Sequence, residues 1–121
     1  MFLDWREYWR TGRKAGSALT KANPKLVAGF QALSAGQNGN GTLDAKTKEL
    51  IALAVAVTTR CDSCIAAHAE AARKAGVTEA ELTDALGTAI ALNAGAAYSY
   101  AIRTLDAFQQ FGTTAASTPS V

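Results

Sequence analysis

Eight consecutive apolar residues, Leu50 to Val57, lead into Cys61-Asp62-Ser63-Cys64, and His68 stands four residues beyond the second cysteine. The run offers no alternate polar positions to water, so as a helix it is apolar on every side. Such a helix belongs in a deep core or in an interface between subunits. Its setting is suitable: 49% of the chain is hydrophobic but only 7% aromatic, so alanine and aliphatic residues dominate. That composition favours closely packed helices, and strand-like alternation is hard to find anywhere. The expected class is all-α, a compact bundle of about six helices with the CxxC at the N-terminus of a central one.

The punctuation along the chain agrees. A first amphipathic helix is expected within residues 1–22, with Phe2, Leu3, Trp5 and Trp9 available for contact. Asn23-Pro24 supplies an N-cap followed by proline in the first turn, opening a helix through Leu26, Val27, Phe30 and Leu33 that closes near Gly36. Gln37-Asn38-Gly39-Asn40-Gly41 is the strongest breaker cluster. The central helix starts around Asp44. Thr58 or Thr59 is the expected cap of the cysteine-bearing helix, which finishes with Arg73 and Lys74 ahead of Gly76. Thr78, with Glu81 three residues later, has capping-box spacing and opens a helix carrying Leu82, Leu86 and Ile90. Small residues around Gly87, Ala91 and Gly95 let another backbone approach. A last helix is expected over 97–111, and residues 112–121 read as a disordered tail.

At 121 residues the chain is expected to form one domain over 1–111, burying only about two-thirds of its unfolded surface, so oligomerisation would help it. The formal charge of +2 is too small to imply nucleic acid, although residues 1–25 carry +4 and the rest −2. With Trp5, Tyr8 and Trp9 interleaved, the basic end reads either as an arm for nucleic acid or a membrane surface, or as an amphipathic helix docked by its aromatic stripe. The second reading is preferred, and neither nucleic acid nor membrane is an expected partner. Charged residues at Asp4, Arg6 and Glu7 interrupt any signal peptide, and no apolar run approaches the roughly 20 residues of a membrane span. A cytoplasmic location is expected.

Cys61 and Cys64 are the two cysteines of the chain and His68 its one histidine. On a single helix the three fall within an arc of roughly 60°. In a reducing compartment two thiols this close are poor structural staples, because so short a loop constrains the unfolded chain little. They suit dithiol redox chemistry, in which one thiolate attacks, the other resolves the product as a disulfide, and a base removes the proton. Glu49, twelve residues before Cys61, reaches the same site if the two helices pair antiparallel. Cues to the nucleophile divide: Cys61 is nearer the positive end of the helix, while Cys64 is one turn from His68. A competing reading makes Cys61, Cys64, His68 and Glu49 the ligands of a zinc-binding or structural helical module.

The pattern Lys46-Thr47-Lys48-Glu49-Leu50-Ile51-Ala52-Leu53, then Cys61-x-x-Cys64-x-x-x-His68, then Ala75-Gly76-Val77-Thr78-x-x-Glu81 resembles the carboxymuconolactone decarboxylase superfamily, specifically its alkylhydroperoxidase D-like branch. The resemblance spans about residues 24–108. It implies a peroxidase in which Cys64 is the peroxidatic nucleophile, Cys61 the resolving cysteine, and His68 and Glu49 the proton relay. The resemblance also implies a hydroperoxide substrate, no bound cofactor or metal, and an external dithiol reductant, suggested to be a lipoyl group on a partner protein. Assembly as a homo-oligomer, a hexamer built as a trimer of dimers, is implied as well. The chain departs from the family pattern at Ser63, where well-characterised members carry a histidine before the second cysteine. That departure keeps a general disulfide oxidoreductase of the same fold as an alternative.

Overall fold

A computed structural model describes residues 2–113, and the expected disordered tail lies, but for its first residues, outside them. Five helices account for the architecture: α1 (Trp5–Ala22), α2 (Pro24–Gly36), α3 (Ala45–Thr59), α4 (Asp62–Lys74) and α5 (Glu79–Phe111). No strand occurs among the described residues. Each start is fixed by a side chain that accepts an otherwise orphaned backbone N–H. Asp4 accepts from Glu7 for α1, Asn23 from Leu26 for α2, and Asp44 from Thr47 for α3. Thr78 and Glu81 form the reciprocal capping box at α5.

Two differences from the expected helices have clear causes. The segments expected as two helices after Thr78 form one continuous helix of 33 residues, roughly 50 Å long. No proline interrupts Asn93-Ala94-Gly95-Ala96-Ala97, and the alanines favour helix strongly enough to carry a glycine that costs about 1 kcal/mol. Neither Thr58 nor Thr59 caps α4. Both sit inside α3 with their hydroxyls donating to the carbonyls of Ala54 and Val55, each at 3.0 Å. The chain turns one residue later, at Arg60, which adopts the left-handed conformation (φ 54°, ψ 52°), and Cys61 becomes the cap instead.

That tight turn makes α3 and α4 an antiparallel pair, and the first half of α5 packs against α3. Leu53, Ala72 and Val77 form the buried centre, with Leu50 and Leu82 packed against it. A Lys46–Glu81 ion pair at 2.8 Å joins the start of α3 to the start of α5, and Asn93 donates to the Thr58 hydroxyl at 2.9 Å farther along. The helix that reads as apolar on every side is enclosed on one side only within a single chain: Leu53 and Ala56 are buried, whereas Ile51 and Val55 are about half exposed. α1 lies against α4 with Trp5, Tyr8 and Trp9 half-buried, so the aromatic stripe is a docking face, and Arg6, Arg10 and Arg13, though exposed, line the same cleft beside Glu70 of α4. Arg13 stacks over Trp9 there.

Candidate active site

The start of α4 is built around its first cysteine. Cys61 is the N-cap, in extended conformation, and its Sγ accepts the backbone N–H of Cys64 at 3.2 Å. A sulfur in that position receives both a directed N–H and the positive end of the helix dipole, which favours its thiolate when the pair is reduced. The Ser63 hydroxyl lies 3.5 Å from the same sulfur. Ser63, which occupies the place of the relay histidine in the family pattern, therefore neighbours Cys61. The two sulfurs are joined as a disulfide, with Cα atoms 5.2 Å apart.

His68 stands one turn beyond Cys64 on α4, and its Nδ1 is 2.7 Å from Glu49 Oε2 on α3. Both side chains are largely shielded, with 28% and 21% of their surface exposed. Because a carboxylate only accepts, Nδ1 carries the proton and Nε2 is left as the basic nitrogen. The antiparallel pairing of α3 and α4 thus brings Glu49 to His68 across 19 positions of sequence. Of the four sequence-predicted residues, Cys64 and His68 line one cavity, with Cys61 bonded to the first and Glu49 to the second. Among the described residues no group of three or more His, Cys, Asp or Glu side chains is arranged to hold a metal ion.

Cys64 and His68 open onto a cavity of about 450 Å³. Leu43, Ile51, Ala52 and Val55 supply apolar walls, Thr59 lies at one end, and Lys48 lines the cavity with its ammonium donating to the Gln37 carbonyl. Sequence reasoning did not single out Lys48, Gln37 or Leu43 as site residues. The signal for Lys48 was present, because residues 48, 52, 55 and 59 recur at helical spacing on one face of α3. Gln37 reaches the cavity from the breaker cluster and Leu43 from just beyond it, in a connection whose path no periodicity reveals.

An all-helical chain with a CxxC disulfide at a helix start and a His–carboxylate pair one turn on defines the class. Residues 24–107 match the carboxymuconolactone decarboxylase family, and the chain belongs to it. The alkylhydroperoxidase D-like pattern of Cys61, Cys64 and His68 is consistent with that membership. An uncharacterized protein of Haemophilus influenzae is 58% identical over 108 residues, covering 89% of this chain and 96% of its own length. A protein of the cox locus of Paracoccus denitrificans is 40% identical over 95 residues, covering 76% and 86% respectively. The apo crystal structure of a carboxymuconolactone decarboxylase family protein from Legionella pneumophila is similar with a TM-score of 0.68 at 34% identity. It matches 90% of this chain and 97% of that one.

Proposed function

We propose that the protein is a thiol-dependent peroxidase that reduces hydroperoxides through the Cys61–Cys64 dithiol. The carrying observation is that Cys64 of the CxxC disulfide and His68 of the hydrogen-bonded His68–Glu49 pair line one largely apolar cavity. In the reduced enzyme His68 Nε2, directly or through one water, takes the Cys64 proton, and Glu49 stabilises the imidazolium that results. The Cys64 thiolate attacks the terminal peroxide oxygen, the O–O bond breaks, and the alkoxide leaves as alcohol with the proton returned by His68. Cys64 is now a sulfenic acid. The Cys61 thiol attacks that sulfur, forming the disulfide and releasing water. An external dithiol then reduces the disulfide and leaves as its own disulfide, and a lipoyl group on a partner protein fits this role. The cycle requires a reducing compartment such as the cytoplasm.

A second reading, a general disulfide oxidoreductase, is favoured by the Cys61 position. The N–H that Cys61 accepts makes it a good leaving thiolate for exchange. Self-association accompanies either reading: Leu26, Phe30 and Leu33 on α2 and Ile102, Leu105 and Phe108 on α5 are all more than half exposed in one chain. A homo-oligomer, the hexamer included, would cover them.

Free-thiol counting on reduced protein, before and after one equivalent of cumene hydroperoxide, tests the peroxidase. The parent should lose both thiols, Cys61→Ser should accumulate sulfenic acid, and Cys64→Ser should retain its thiol. Glu49→Gln should slow the reaction about 10²-fold by removing the charge that supports His68. If both thiols survive peroxide but exchange rapidly with a small disulfide, the oxidoreductase reading replaces this one.

A further inference from the structure

We propose that Lys48 is a specificity residue that selects hydroperoxides carrying a carboxylate at the end remote from the peroxide. The assignment rests on the peroxidase reading above and narrows its substrate class. Three observations support it. Among the described residues that line the cavity, Lys48 is the one with a fixed charge, and no carboxylate lines it to neutralise that charge. The neighbouring Lys46 is engaged by Glu81, whereas Lys48 is held by the neutral Gln37 carbonyl. An ammonium has three donors, so this contact positions the group while leaving two for a ligand.

Geometry sets the shape of that ligand. Cys61 N–H bonds the Ala56 carbonyl, so Ala56 marks the disulfide end of the cavity. Lys48 is two turns earlier on the same helix, roughly 12 Å from Ala56 along its axis, and Cys64, three residues beyond Cys61 on the antiparallel α4, lies closer to it than that. Ala52, Ile51 and Val55 line that stretch with apolar surface, and His68, bonded to Glu49 next to Lys48, enters it from α4. The cavity thus has a cation at one end, an apolar α3 wall, and Cys64 with His68 on its α4 side. A medium-length acyl chain, with its acid at Lys48 and its hydroperoxide at Cys64, complements all three parts. The chemistry is that of the parent cycle: hydroperoxide becomes alcohol, the dithiol becomes disulfide, and water leaves. The carboxylate only binds.

The test follows thiol loss in the reduced protein with octanoic acid carrying a hydroperoxide on its far carbon, with the methyl ester of that compound, and with tert-butyl hydroperoxide. In the parent the acid should react about fivefold faster than the ester, the range of one partly exposed ion pair, and the preference should shrink at high salt. Lys48→Met should bring the acid-to-ester ratio near one, and Lys48→Arg should keep it above one, with circular dichroism confirming that both variants are folded. Equal rates for acid and ester in the parent, or a preference that survives Lys48→Met, overturn the assignment while leaving the peroxidase intact. Thiols that resist all three peroxides sink the peroxidase reading and this assignment together.

Discussion

The two halves of α5 are one helix in geometry and two in environment. From Glu79 to Asn93 the helix leans on α3: Leu82 and Leu86 are half-buried, Ala89 is buried, and Asn93 reaches across to Thr58. Beyond Asn93 every described residue is exposed, although Tyr98, Ile102, Leu105 and Phe108 are as apolar as anything in the first half. Apolar character therefore does not itself tell where a residue packs. In the first half the partner is part of the same chain, and in the second none lies among the described residues. The candidate site belongs with the first kind of surface, since Glu49, Cys61, Cys64 and His68 all lie on the α3–α4 pair that this half of α5 buttresses.

Matched truncations put the comparison at risk most directly. Leu53→Ala removes the centre of the buried cluster and should destabilise the chain by about 2–5 kcal/mol in urea unfolding. Leu105→Ala removes the same atoms from the distal half and should cost less than about 0.5 kcal/mol at concentrations where the chain is monomeric. Comparable losses under those conditions would show that the distal half finds a partner within its own chain. The distal surface has its own measurement. Leu105→Asp combined with Phe108→Asp should reduce the sedimentation coefficient of any assembly that forms at higher concentration, while helix content stays within a few per cent. A coefficient that does not change would place the contact elsewhere, with the exposed α2 residues the next surface to probe.

Local chemistry in the sequence foretold most of the fold. The caps at Asn23, Asp44 and Thr78, the Pro24 start and the C-terminal Gly76 all act over three or four residues, and all are where the sequence puts them. The same local reasoning placed the cysteines and His68 on one face. Two things needed more than neighbours. A non-glycine residue in left-handed conformation at Arg60 moved the α4 cap from a threonine to Cys61, and no propensity singles out arginine for that role. The cavity draws Gln37 and Leu43 from the glycine-rich connection, whose direction depends on how α2 stands relative to α3. The resemblance to a family supplied the pairing of Glu49 with His68, which residue spacing alone left open.

The mildest prediction concerns the tether that starts the first half of α5. The Glu81 carboxyl titrates below its usual value of 4.5, chiefly because the Lys46 ammonium donates to it and then because it accepts the Thr78 N–H. Asp44, which caps α3, is lowered mainly by the Thr47 backbone N–H. A carboxylate lowered on folding contributes stability that is fully present above its unfolded pKa and is lost as pH falls through its folded pKa. Melting temperature should therefore be nearly flat near neutrality and begin to fall as pH drops below about 5. Glu70, lowered chiefly by the Lys74 ammonium, is a third such group, and Glu81→Gln removes one of the three, so its melting temperature at neutral pH should be slightly below that of the parent and its decline in acid shallower. The two curves should approach each other in acid, as the pH falls through the lowered folded value of the parent's Glu81. If the variant instead keeps the full acid slope, Glu81 contributes nothing to it, and the proximal half is held to α3 by packing and by the Asn93–Thr58 hydrogen bond. In that case the two halves of α5 would differ in whether an apolar partner and that one hydrogen bond lie within reach.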